Sequence, residues 1–117
     1  MDFYSNGLGI FVIPIKFNLN TTTYNDYLDF LVQAENWGYT DVYIGEHLTD
    51  DREDIQSSMI FAAALAARTS SLRISLCALP LPHYNIRLLV KQLEDLYRLS
   101  SGRINIGFTP GALKKDL

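Results

Sequence analysis

Short, largely apolar stretches alternate with helical patterns along this chain, and that alternation constrains its fold more than any other feature. Leu8 to Ile15 is rich in isoleucine and valine (Ile10, Val12, Ile13), the composition of a buried strand, and it ends at Pro14. Asp41 to Gly45 reads as a second, shorter strand, and Leu72 to Leu79 as a third that is apolar throughout and ended by Pro80 and Pro82. Ile104 to Phe108 reads as a fourth, followed by a turn at Pro110-Gly111. Between them lie three helical patterns. Tyr24, Tyr27, Leu28, Leu31 and Ala34 recur at spacings of three and four, with Thr23 as a cap, Asp26 near the positive end of the dipole and Gly38 as a stop. Ile60 to Ala67 is alanine-rich and apolar on nearly all sides, with Ser57 or Ser58 as its cap, which predicts burial on more than one face. Ile86, Leu89, Val90, Leu93, Leu96 and Tyr97 form the apolar face of the third helix, stopped by Ser100, Ser101 and Gly102. Strand–helix repeated three times and closed by a strand implies parallel pairing, right-handed crossovers and a sheet covered on at least one face.

Composition removes several alternatives. Hydrophobic residues make up 48% and charged residues 20% of 117, enough for a core and unlike a disordered chain. The longest uncharged apolar stretch, Met59 to Ala67, falls short of the roughly 20 residues of a membrane span. The first residues lack the basic-then-apolar layout of a signal peptide. A net charge of −3 and a pI of about 5.2 argue against nucleic acid as a partner. A lone cysteine, Cys77, forms no internal disulfide, which suits a reducing cytoplasm.

In parallel α/β folds ligands bind at the carboxyl ends of the strands. That rule singles out Pro14-Ile15-Lys16, Glu46-His47-Leu48, Leu79 to Asn85 and Thr109-Pro110-Gly111. His47 follows the second strand directly. Local sequence leaves two readings of it open, a general acid/base or ligand donor and a loop histidine bonded to backbone. His83, between Pro82 and Tyr84, has the weaker claim. Glu46 to Gln56 carries the acidic run Asp50, Asp51, Arg52, Glu53, Asp54 and reads as a solvated loop. The run lacks the glycine and distal glutamate of a calcium loop, so no metal is expected. Cys77, inside an apolar strand, reads as an inert buried thiol. There is no glycine-rich phosphate loop and no nucleophile elbow.

Several blocks, in order, carry a resemblance. They are Gly38-Tyr39-Thr40-Asp41-Val42-Tyr43-Ile44-Gly45-Glu46-His47, then Ala63-Ala64-Leu65-Ala66-Ala67-Arg68-Thr69 with Leu72-Arg73-Ile74. Leu81-Pro82-His83-Tyr84-Asn85, Leu99-Ser100-Ser101-Gly102-Arg103 with Gly107, and Pro110-Gly111-Ala112-Leu113 follow. Over about two-thirds of the chain they resemble the bacterial-luciferase-like, flavin-dependent monooxygenases, and the last block is closest to the limonene-monooxygenase-like branch. The resemblance implies a TIM barrel and an oxidoreductase that inserts one oxygen atom from O₂ into a small organic substrate. It implies FMN, supplied reduced by a separate flavin reductase. His47 matches the family's active-site histidine. Cys77-Ala78 match a non-proline cis peptide beneath the flavin ring, and Asn85 a polar residue of the flavin pocket. Glu46, Thr109 and Gly111 fall at matching cofactor-binding positions, Thr109 where luciferase has a reactive cysteine. Leu48 stands where luciferase has a second histidine, Ile86 where a proline is common, and Pro110 where luciferase has a basic residue near the flavin phosphate. A related branch uses a deazaflavin coenzyme for hydride transfer, and its Asp-His-Leu strand end is close to Glu46-His47-Leu48.

A TIM barrel has eight strands and typically about 250 residues. Residues 1–117 are therefore expected to form a single partial domain: the N-terminal half of a luciferase-like barrel, about four parallel strands with three helices. Open sheet edges invite pairing. The chain then needs either the missing second half of the barrel or a homo-oligomer, and a non-catalytic flavin-binding half-barrel that dimerises is a further alternative.

Overall fold

The structure, a computed structural model, describes residues 7–12, 23–47 and 54–111. Its elements are β1 (Gly9–Val12), α1 (Tyr24–Asn36), β2 (Asp41–Ile44), α2 (Ser58–Arg68), β3 (Arg73–Pro80), a 3₁₀ turn (Leu81–His83), α3 (Ile86–Leu99) and β4 (Ile104–Thr109). The strands are all parallel and adjacent in the order β1-β2-β3-β4. The expected alternation is therefore realised element by element. The predicted extension of the first strand to Ile15, the loop with Pro14 and Lys16, Leu48, the acidic residues 50–53, and Ala112 and Leu113 lie outside the described residues.

Each helix is delimited by local chemistry. The Thr23 hydroxyl accepts from the Asp26 amide while Asp26 Oδ2 accepts from the Thr23 amide at 2.7 Å, a reciprocal capping box at α1. Ser57 caps α2 through the Ile60 amide, and Asn85 caps α3 through the Leu88 amide. After α3 the chain reverses through Ser101 at φ 54° and Gly102 at φ 80°, a left-handed pair that only a residue such as glycine adopts without cost.

Register explains the core. Ile10, Val42, Ile74 and Ile104 form one cross-sheet row, and Val12, Ile44, Leu76 and Ile106 the next. All of these except Ile106, which is 37% exposed, meet Leu28, Leu31, Phe61, Leu65 and Leu96 from the helices in one cluster. The intervening row, Phe11, Tyr43, Ser75 and Asn105, lies on the opposite face. There Phe11 is 54% and Tyr43 37% exposed, so one face of the sheet is covered by helices and the other is not, among the described residues. The same incompleteness shows beside β4, where Phe108 is 54% exposed.

Three expectations change. The third-helix stripe is only partly buried: Leu89 and Leu96 are in the core, while Ile86, Val90 and Tyr97 face outward. The second helix leaves Ile60 exposed despite its apolar circumference. The segment from Glu46 to Gln56 is not uniformly solvated. Glu46 and Ile55 are buried, and Asp54 accepts hydrogen bonds from the Tyr24 and Tyr27 hydroxyls.

The amino-terminal end of the sheet is held by charge. Arg103 donates to the carbonyls of Ala66, Thr69, Leu72 and Ser100 and to Thr69 Oγ1, between 2.7 and 3.2 Å. It thereby satisfies carbonyls that the end of α2 leaves without helical partners. Glu35 accepts from the amides of Ser70, Ser71 and Leu72, and Arg73 forms a two-pronged pair with Asp41 at 2.8 Å on each prong. Replacing Arg103 with alanine should lower unfolding free energy by about 2–3 kcal/mol, because several acceptors lose a charged donor at once. Lysine should recover only a minor part, since an ammonium lacks the planar fork. Urea denaturation measures both.

The acid limb of stability follows from the same groups. Burial alone would raise the Glu35 carboxyl, but the amides of Ser71, Leu72 and Ser70 outweigh it and hold it below its ordinary value. Asp41 is lowered first by Arg73. Both groups bind protons less readily folded than unfolded, so their contribution is complete above about pH 5 and is lost as pH falls through the depressed native values. A Glu35→Gln variant should therefore melt at a temperature that declines less steeply than wild type between about pH 5 and pH 3. An equal slope would refute the assignment.

Candidate functional site

Parallel strands direct their carboxyl ends to one rim, and the chemistry-bearing residues collect there. Glu46, His47, Cys77, Ala78, Pro80, Thr109 and Gly111 line a hollow of about 220 Å³ beyond β2, β3 and β4. Three separate strand ends supply it, so residues more than sixty positions apart in sequence share one concavity. Two roomier hollows, of about 540 and 760 Å³, lie among the described residues. They are lined mainly by apolar side chains and gather neither His47 nor Cys77, so chemistry rather than size selects the smaller one.

A break in strand regularity shapes this rim. Leu76 pairs with Ile106 but Leu79 pairs with Phe108, so β3 carries one more residue than β4 across the interval. Such a bulge re-aims the side chains around it. Cys77, two residues on from Ser75, alternates onto the face that the helices leave uncovered and is exposed, which corrects the reading of a buried, inert thiol. The Cys77–Ala78 peptide is cis, as the resemblance implied for these two positions. Thr109 is the last residue of β4, and its hydroxyl accepts from the Gly111 amide at 3.2 Å, fixing the turn that ends the strand.

Of the residues singled out from sequence, Glu46, His47, Cys77, Ala78, Thr109 and Gly111 are brought together. Asn85 is not. Its side-chain oxygen caps α3 at 3.2 Å, and the residue lines the groove between α2 and α3 together with His83. The capping geometry dictates this: a residue at that position must turn toward the first helical amides rather than toward the strand ends.

Glu46 is 3% exposed. One carboxylate oxygen accepts from the Ser58 amide at 2.9 Å and the Ser58 hydroxyl at 3.2 Å, and the other accepts from the Tyr84 hydroxyl. Burial first, then the hydrogen bond to Glu46 and its charge, push the Tyr84 hydroxyl far above the ordinary tyrosine range, so it remains a donor at neutral pH. Tyr84 is the residue that sequence reasoning passed over. It stood inside a quoted block without a role, and the signal that would have found it was a glutamate at a strand end with no lysine or arginine beside it.

The lining suits one side of a flat, amphipathic ring such as a flavin. Cys77, Ala78 and Gly111 are small and leave room for a planar face, and His47 and Thr109 add polar groups to the same lining. At 220 Å³ the hollow is smaller than the roughly 300–1,000 Å³ of small-molecule sites. Among the described residues there is no group of three or more His, Cys, Asp or Glu placed to hold a metal, and no helix long and apolar enough to cross a membrane.

Comparison with known proteins agrees with this architecture. Limonene 1,2-monooxygenase of Rhodococcus erythropolis is 30% identical over 118 aligned residues, covering 98% of this chain and 30% of that protein. A 2,5-diketocamphane 1,2-monooxygenase of Pseudomonas putida is 31% identical over 112, covering 92% and 30%. In structure, the oxygenating constituent of 3,6-diketocamphane monooxygenase from Pseudomonas putida, a type II Baeyer-Villiger monooxygenase in complex with FMN, superposes with a TM-score of 0.84 at 24% identity, over 93% of this chain and 30% of that one. The coenzyme F420-dependent tetrahydromethanopterin reductase of Methanopyrus kandleri shares the fold with a TM-score of 0.71 at 20% identity, over 91% and 27%. The chain thus spans about 30% of the length of the relatives it matches, less than the half suggested by counting strands. Four parallel strands with three helices make it an α/β segment of a luciferase-like TIM barrel. Residues 9–116 match the family described as luciferase-like monooxygenase, and the chain belongs to that family.

Proposed function

We propose that this chain is the N-terminal half-barrel of a flavin-dependent monooxygenase that inserts one oxygen atom from O₂ into a small organic substrate. The observation that carries this is the convergence of His47, Cys77, Ala78, Thr109 and Gly111 on one rim in a chain of this family. Reduced FMN is the cofactor in this reading, delivered by a separate reductase in a reducing cytoplasm where the exposed Cys77 thiol persists. The FMN complex of the Pseudomonas putida structural relative supports it. When bound, the flavin supplies the electrons and activates O₂. The protein's residues hold and shield it. Cys77, Ala78 and Gly111 bound the ring's face, Thr109 and Glu46 complete the rim, and His47 moves or holds a proton at the reacting edge.

The rest of the site and the remaining strands come from the second half of the barrel or from a second copy. The one-sided exposure of Phe11 and Tyr43, with β1 and β4 at the sheet edges, supports such completion. Sedimentation velocity should show self-association of the isolated chain. A clean monomer of about the 13.3 kDa chain mass with a cooperative melt would refute pairing between copies.

Titration with oxidised and reduced FMN, followed by fluorescence, tests the cofactor. Saturable binding is expected, and tighter binding of a deazaflavin would select hydride transfer instead, the reading to which Glu46-His47-Leu48 lends some support. In the complete barrel, His47→Ala should cut oxygenated product per O₂ consumed at least tenfold and raise peroxide release, in line with the roughly 10²–10⁴-fold worth of acid–base groups. Wild-type coupling in that variant would remove His47 from the mechanism.

A further inference from the structure

Glu46 holds three segments of the fold together through one carboxylate. It ends the stretch after β2, and its first oxygen is bound by the amide and hydroxyl of Ser58, the first residue of α2. Its second oxygen is bound by Tyr84, which follows the 3₁₀ turn after β3. A carboxylate at 3% exposure needs such partners, because a buried anion without them is strongly disfavoured. The α2 amino terminus suits it further, since the free amides and helix dipole there favour negative charge. Among the described residues no buried side-chain polar atom lacks a hydrogen bond, so both oxygens are accounted for within the protein.

This geometry separates two roles a glutamate beside a catalytic histidine could have. A direct cofactor ligand or general base needs an oxygen lone pair directed at the ligand. Glu46 directs three of its roughly four lone-pair sites to Ser58 and Tyr84 instead. His47 is its immediate neighbour in the chain and lines the same hollow. We propose that Glu46 is a positioning residue, clamped by Tyr84 and Ser58, which fixes the backbone that presents His47 to the ligand. Tyr84 is then the second member of the clamp, and it ties the segment after β3 to the histidine. The proposal rests on the reading of the rim as a flavin site, and it refines the expected cofactor-binding role of Glu46 into one exerted through His47.

The test uses the full chain, with the His47 ring resonances followed by NMR without ligand and FMN as the added probe. Tyr84→Phe removes one hydroxyl and keeps the ring. Glu46→Gln keeps an acceptor for Ser58 and a polar partner for Tyr84, whereas Glu46→Ala removes both. Tyr84→Phe and Glu46→Ala should shift the His47 resonances and weaken FMN binding at least threefold. Glu46→Gln should stay within twofold of wild type and leave the resonances near their original positions. If Tyr84→Phe changes neither the resonances nor the affinity, the clamp does not position His47. If Glu46→Gln weakens FMN as much as Glu46→Ala, the charged carboxylate is itself a ligand and the proposal is wrong. Should wild type fail to bind FMN, the affinity arm passes to the complete barrel, while the His47 resonances in Tyr84→Phe still decide the clamp. Should Glu46→Ala fail to fold, Tyr84→Phe and Glu46→Gln carry the decision.

Discussion

The Arg103 guanidinium is the point at which the layers of this fold are joined. Helices and strands could each form their own hydrogen bonds and still slide against one another, because apolar packing is not directional. Arg103 removes that freedom. It precedes β4 and reaches the last carbonyls of α2, the residue before β3 and the cap of α3, so the spacing of two helices over two strands is set by one rigid fork. With that spacing fixed, Ile74 and Leu76 of β3 meet Leu65 of α2 in the buried cluster, and all three are fully shielded. Glu35 performs the complementary task on α1, collecting three amides of the turn that leads into β3.

These clasps lie at the amino-terminal end of the sheet, and the candidate chemistry lies at the other. The separation has a physical basis. Loops at the start of parallel strands can be tied down by ion pairs and caps without obstructing a ligand, whereas the carboxyl rim must leave a concavity. The bulge in β3 and the glycine after Thr109 belong to that rim. Glu46 is the exception, a buried charge at the ligand end, and its bonds run to helix α2 and to Tyr84 rather than into open space. The rigid end thus supports the rim, and one internal clamp keeps the rim in register with it.

Much of this was legible in the residues. Thr23, Ser57 and Gly102 punctuate helices where capping chemistry says they should, since such signals are local and need no tertiary partner. The rule placing ligands beyond strand carboxyl ends singled out His47 and Thr109, and the fold brings both to one hollow. Burial was less legible. Cys77 sits in an apolar run, and nothing local announces that its face of the sheet, shared with Tyr43 and Ser75, has no helix over it among the described residues. Val90 and Tyr97 have helical spacing but lie beyond the reach of the four-stranded sheet. Glu46 was grouped with acidic neighbours as solvated, because its two partners, Ser58 and Tyr84, are distant in sequence and announce no pairing.

The exposed apolar residues and the small hollow have one cause. A closed barrel gives each strand two neighbours, fills its interior with side chains and draws its rim from every strand end. Four strands supply a continuous helix-side core, because that core needs only the helices between them, and Val42, Ile44, Ile74 and Leu76 are fully buried in it. The same four strands cannot enclose the other face, so Phe11 and Tyr43 remain in contact with solvent. Nor can they surround a ligand, and the hollow beyond them stays near 220 Å³. Packing against helices is thus satisfied among the described residues, whereas the rim they form is a shallow hollow at one end of the sheet.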